Sequence, residues 1–210
     1  MNLRRIKITA PIAHFKIPYG SKNQYTYTIP PPSTINGMLR VLFGEEINDY
    51  IFGYTFEFST IFYDGFTLYK HHKELKENKK GLTSDYCIRE YLHDCKLYIY
   101  TDIKKDLFFK TTLTMGRSNC LARLHMNFSP IKLINKTGIC KNQFSPKEIG
   151  SGQIYSVTTN SKFNHLIKSF DSKVKLLRLN KQFKYDKYHD EEREQNIFLW
   201  SFKDGEIYAK

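Results

Sequence analysis

Along the first fifteen residues, apolar positions fall mostly at every second place. Leu3, Ile6, Ile8, Ala10 and Ile12 lie on one side and Arg5 and Lys7 on the other, which predicts a half-buried strand over Leu3–Phe15. Pro30-Pro31-Pro32 then imposes an extended approach, and Ser33 or Thr34 is placed to cap a helix. In that helix Ile35, Met38, Leu39, Leu42 and Phe43 follow an i, i+3, i+4, i+7, i+8 stripe, and Gly44 supplies the stop. Phe52–Tyr69 is rich in β-branched and aromatic residues, and Asp64-Gly65 within it predicts a hairpin turn. Lys70–Asp85 is polar and highly charged and reads as a loop or mobile tip. Cys87–Thr101 alternates again, as a strand pair or one long strand, and Leu107–Leu113 is a further apolar segment.

The order strand, helix, strand, strand, followed by a helix-poor remainder, predicts an α+β domain of ferredoxin-like or RRM type, a common RNA platform. The division expected is a domain over residues 1–128 and a C-terminal segment over 129–210 that completes or extends it. At 210 residues the chain has room for one elaborated domain. Its apolar share, 40% with tyrosine counted, is below the roughly 45–50% of ordinary domains and predicts a modest core.

Charge changes the picture. Lys and Arg number 33 against 21 Asp and Glu, a formal net charge of +12, which points to a polyanionic partner. From Met1 to Gly44 the basic residues Arg4, Arg5, Lys7, Lys16, Lys22 and Arg40 meet no acid. From Leu107 to Lys147 the same holds for Lys110, Arg117, Arg123, Lys132, Lys136, Lys141 and Lys147. Both windows interleave cations with Tyr, Phe, Ser, Thr and Asn, side chains that grip phosphates and stack on unpaired bases. A third basic run, Lys173–Lys187, precedes the acidic patch Asp190–Glu194 and reads as the solvated face of a helix.

Cys87, Cys95, Cys120 and Cys140 form no CxxC pair and have no HxxxH partner, so free and mostly buried thiols are expected, with no metal and no cofactor. Gly150-Ser151-Gly152 lacks the Lys-Ser/Thr of a nucleotide-binding loop. No apolar run is long enough to span a membrane and no secretory leader is seen, so a cytoplasmic protein is expected.

Three anchors carry a family resemblance. The first is Pro11-Ile12-Ala13-His14-Phe15-Lys16, followed by Tyr25-Thr26-Tyr27-Thr28-Ile29-Pro30-Pro31-Pro32-Ser33-Thr34-Ile35-Asn36-Gly37-Met38-Leu39 and Leu42-Phe43-Gly44. The others are Arg89-Glu90-Tyr91-Leu92-His93-Asp94 and Met115-Gly116-Arg117-Ser118. Together they resemble the CRISPR-associated RAMP proteins of Cas family five, the subunit of type I Cascade effectors that caps the 5′ handle of the CRISPR RNA. The likeness is nearest to subtype I-B, and it spans about the first 120 residues.

The resemblance implies a ferredoxin-like domain with a protruding β-hairpin thumb arm near 68–109. That arm would clamp the handle against the first backbone subunit. The implied partners are the CRISPR RNA 5′ handle, the Cascade backbone subunit, the large subunit and, through the complex, target DNA. It also implies RNA contacts at Arg89 and at the Gly116-Arg117-Ser118 turn. That turn suits a phosphate: glycine lets the backbone approach, the Arg fork engages two oxygens, and the Ser hydroxyl donates a third bond. An ordinary turn with an exposed Arg is the alternative.

Lys16, Lys22 and Arg40 are phosphate candidates as a group. Tyr25 and Tyr27 either stack on bases or are half-buried sheet residues. Gly37, unfavourable inside a helix, suggests close approach to the sheet or to RNA. The expected role is non-catalytic. The alternative is a metal-independent endoribonuclease acting on CRISPR repeat RNA, with His14, Lys16, Tyr25 and Tyr27 supplying base and cation.

Overall fold

The computed structural model describes residues 1–18, 23–44, 47–71, 82–108, 112–164 and 169–210. In chain order the elements are β1 (Asn2–Ala13), β2 (Phe15–Lys16), β3 (Thr26–Tyr27), α1 (Pro32–Phe43), β4 (Tyr50–Glu57), β5 (Thr60–His71) and β6 (Leu82–Thr101). They continue with β7 (Arg123–Lys132), β8 (Gly138–Pro146), β9 (Gln153–Asn164), β10 (Ser169–Tyr185), β11 (His189–Asp190), β12 (Gln195–Asn196), β13 (Leu199–Lys203) and β14 (Glu206–Ala209). α1 is the one helix among the described residues, so the molecule is a mostly antiparallel β protein with a short helix, compatible with the α+β expectation.

The large sheet has the order β14-β13-β4-β6-β1-β7, with β5 added on β6. β1, α1 and β4 form a split β-α-β unit, since β6 lies between β1 and β4 and is antiparallel to both. The apolar stripe of α1 (Ile35, Met38, Leu39, Leu42 and Phe43) is wholly buried. It shares one core with Ile6 and Ile8 of β1, Phe52, Tyr54 and Phe56 of β4, and Leu97 and Ile99 of β6. Burying each such side chain stabilises the fold by about 1.5–3 kcal/mol.

The helix starts two or three residues earlier than a cap at Ser33 or Thr34 would place it. Pro31 is the N-cap and Pro32 occupies the first turn, so no side chain caps the helix end. Gly44, at φ +96°, ends it as expected. All four cysteines are free and buried.

Two expectations are corrected. Asp64 and Gly65 do not turn the chain; they lie inside β5, paired with Arg89 and Ile88 of β6. β4 and β5 instead run one after the other along the same edge of β6, with the break at Phe58-Ser59. The exposed Tyr86 ring lies over Gly65, where a Cβ would be. The basic run from Lys173 is not a helix face, because it falls mostly in β10, the centre of a second sheet of order β8-β10-β9. β7 crosses residue 128, and β13 and β14 extend the same large sheet that β1 begins.

The opposite face of the large sheet is covered by the turn that carries the acidic patch. Asp190 accepts from the Tyr100 hydroxyl (2.6 Å), from Arg5 (3.3 Å) and, through its other oxygen, from the Glu192 amide (3.0 Å). Arg193 stacks on Tyr98 at 3.6 Å and pairs with Glu57.

Candidate nucleic-acid interface

Three chain segments far apart in sequence meet at the end of β1. The first is the β1–β2 junction, where the His14 amide donates to the Met115 carbonyl (3.2 Å). The second is the turn that this bond docks. It is closed by Met115 N to Cys120 O (2.8 Å) and Cys120 N to Arg117 O (3.0 Å). Gly116 has φ +95°, and a side chain there would overlap the His14 carbonyl. The turn is therefore a glycine turn because the backbone of β1 lies against it. The third segment is the start of α1, delivered by the proline triplet.

Between these segments is a cleft of about 240 Å³, walled by His14, Phe15, Lys16, Pro31, Ser33, Thr34, Gly116 and Arg117, with Val157 and Thr158 of β9 behind. Among the described residues, none that lines it is acidic. Arg117 has no ion pair among the described residues. Burial, and then the neighbouring Arg89 charge, hold its guanidinium below its ordinary pKa, yet an Arg remains charged.

Arg89 is fixed from several sides. Its Nε donates to Gln24 Oε1 (2.8 Å), its guanidinium donates to the Tyr91 hydroxyl (2.9 Å), and the Phe66 ring lies 4.1 Å away. Asn119 of the turn also donates to the Tyr91 hydroxyl (3.1 Å), linking turn and arm.

His14 is 1% exposed. Its Nδ1 lies 2.6 Å from the Glu90 carbonyl, which can only accept, so Nδ1 carries the proton and Nε2 keeps a lone pair. Nε2 has no hydrogen-bond partner among the described residues. Burial first, and then the Arg117, Arg89 and Lys16 charges, push the ring's pKa down to about 4 against an opposing bond to Glu90.

The structure thus brings together Lys16, Gly116 and Arg117 at the cleft, with Arg89 beside it and Ser118 exposed on the same turn. Other candidates separate. Tyr27, at 3% exposure, is wedged edge-on against Phe144 and Tyr155 and donates to the Ser156 carbonyl, so it is a core residue unable to stack on a base. Tyr25 precedes β3 and is 47% exposed. Gly37 faces open space with nothing within 4 Å of a Cβ, which removes its close approach to the sheet. Arg40 sits in the last turn of α1, away from the cleft, where a cation suits the helix dipole. Lys22 lies outside the described residues.

β5 and β6 continue beyond the ends of β1 and β4 as a two-stranded arm, paired rung by rung from Thr60↔His93 to His71↔Leu82. The arm therefore begins before residue 68, and the second half of β6 belongs to the core sheet rather than to the arm. One arm face carries Tyr63, Tyr69 and Tyr86, exposed at 64%, 66% and 68%. Sequence reasoning passed over them; the signal was the every-second-residue run Ile61, Tyr63, Gly65, Thr67, Tyr69.

No family model and no curated protein matches this chain. Solved structures do match. The fold is shared with a chain described as "CRISPR RNA-guided surveillance complex". That match has a TM-score of 0.53 at 10% identity, and covers 88% of this chain and 91% of the other. With so little identity, what it establishes is the common fold. No helix among the described residues is long and apolar enough to cross a membrane.

Proposed function

We propose that this chain is an RNA-binding subunit of a type I, I-B-like CRISPR effector, a Cas family five RAMP protein that holds the 5′ handle of the CRISPR RNA without cleaving it. The observation that carries this reading is the cleft, free of acids among the described residues, in which Arg117, with no ion pair to any described residue, stands on a glycine turn beside Lys16 and the start of α1. A charge left unpaired in a partly buried site is costly unless a ligand pairs it. The shared fold supports the same assignment. So does the strand order β4-β6-β1-β7, which matches that of a ferredoxin-like domain, with no helix among the described residues between β6 and β7. The exposed aromatic face of the arm is the surface on offer to the backbone subunit, and the large subunit and target DNA follow from membership of the complex.

The test is a comparison of RNA carrying the repeat-derived 5′ segment with a scrambled RNA of equal length at physiological salt. Handle RNA binding at least tenfold tighter is expected, and equal affinities would refute the specific role. One observation favours a second reading, a metal-independent endoribonuclease: the neutral, unpartnered Nε2 of His14 has the chemistry of a general base. Incubation of the protein with repeat RNA in EDTA separates the two. Intact RNA supports a binding subunit, and clean cleavage lost in His14→Ala supports the nuclease.

A further inference from the structure

The cleft combines two demands that a bare anion does not meet. Lys16, Arg117 and the uncapped, acid-free first turn of α1 favour negative charge; Ser33 brings the first N–H of that helix, since Pro32 has none. His14 lines the same cleft, and its Nε2 requires a donor. A buried acceptor without a partner is costly to the free chain, so a ligand hydroxyl that reaches Nε2 recovers what folding left unsatisfied. The ring stays neutral while flanked by Arg117, Arg89 and Lys16, and so keeps the lone pair that a hydroxyl needs. A phosphate with a hydroxyl a few bonds away is the ribose-phosphate unit of RNA. DNA has the phosphate and lacks the hydroxyl.

We propose that this cleft holds one ribose-phosphate of the bound RNA, with its phosphate on Lys16, Arg117 and the start of α1, and its 2′-hydroxyl donating to Nε2 of His14. His14 is then the residue that tells RNA from DNA at one nucleotide. The inference rests on the RNA-binding reading above and adds which atom of the RNA is read. Nε2 is closed to solvent in the free chain, so binding of the hydroxyl requires the lining side chains to shift, a rotamer-scale change common at interfaces.

The experiment uses the full chain and synthetic RNA carrying the repeat-derived 5′ segment, with a single 2′-deoxy replacement walked through each position. One position is expected to lose about tenfold in affinity, the scale of one hydrogen bond. In His14→Phe the same replacement is expected to change affinity by less than about twofold. The scan on the unmodified protein keeps the inference falsifiable even if that variant folds poorly. No sensitive position, while handle RNA still outcompetes scrambled RNA, overturns the subsite and leaves the proposed function standing. A sensitive position with no preference for handle over scrambled RNA keeps the subsite and removes the specific role. Ribose 5-phosphate binding as tightly as the RNA reassigns the cleft to a free sugar phosphate and overturns the proposal.

Discussion

Replacing Gly116 by Ala tests whether the turn that presents Arg117 is built on the backbone of β1. At φ +95° an L-residue is strained by about 1–3 kcal/mol. The new Cβ would lie 2.9 Å from the His14 carbonyl carbon, closer still to its oxygen, and 3.2 Å from the Phe15 ring. That backbone has little room to retreat. Ala13 is in register with Leu92, the His14 amide is bonded to Met115, and the Phe15 amide donates to Thr26 Oγ1 at 2.8 Å. Relief therefore means undocking the turn and losing the His14–Met115 bond, about 1 kcal/mol more.

The expected total is roughly 2–4 kcal/mol. In a chain of this size each kcal/mol moves Tm by about 2–4 °C, so a fall of about 4–16 °C is expected in thermal unfolding. Ser118→Ala, two residues on at an exposed position, is the control and should stay within about 0.5 kcal/mol. If Gly116→Ala melted within about 1 °C of the unmodified protein, the turn would not be docked on His14, and the cleft described here would lose one wall.

Asp190→Ala should destabilise by about 3–5 kcal/mol, because it strips a buried carboxylate from Arg5, the Tyr100 hydroxyl and the Glu192 amide together; urea unfolding reads this, and a loss under about 1 kcal/mol would show the network to be ornamental. Acid should weaken the fold through His14. Its pKa is lowered by burial to about 4, so between roughly pH 6.5 and 4 the unfolded chain binds the proton that the folded chain refuses, and stability falls as pH falls through that window. Between pH 7 and 5 the unmodified protein should lose about 2 kcal/mol more than His14→Phe, and parallel losses would refute the buried neutral ring.

Where one element forms its own pattern, sequence was a sound guide. The stripe of α1 and the alternation of β1 are local, and each places its apolar face in the core as read. Gly65 misled because Asp-Gly is a turn signal only when the two residues are free to take positive φ. Here they are held in a ladder, and the glycine makes room for the Tyr86 ring from the partner strand. β10 misled for another reason. Its cations Lys175, Arg178, Lys181 and Lys184 fall three apart, a helix-like spacing, in a strand that pairs with one neighbour on each side. In the cleft, Lys16, Gly116 and Arg117 were legible as chemistry. Their meeting with His14 and the start of α1 was not, since it depends on contacts about a hundred residues apart.

Charge shows most sharply what three dimensions add. The first window is free of acids in sequence but not in space. Arg5 is bonded to Asp190 and Glu192, and Arg4 donates to the carbonyls of Lys104 and Lys105. Elsewhere Lys173 pairs with Glu206 and Arg193 with Glu57. Arg5 and Arg193 fasten the acidic turn to the sheet and Lys173 links β10 to β14, so the net charge of +12 overstates what an RNA can use. At the cleft the usable cations are Lys16 and Arg117. If each neutralises one phosphate of a single strand, log K should fall with log salt by about 0.7 per contact. Arg117→Ala should then weaken handle binding by about 1–3 kcal/mol and flatten the salt slope by about 0.7. Arg5→Ala should lower stability and leave the slope unchanged. If the two variants exchanged these signatures, the RNA would lie on the opposite face of the sheet and the cleft would not be its site.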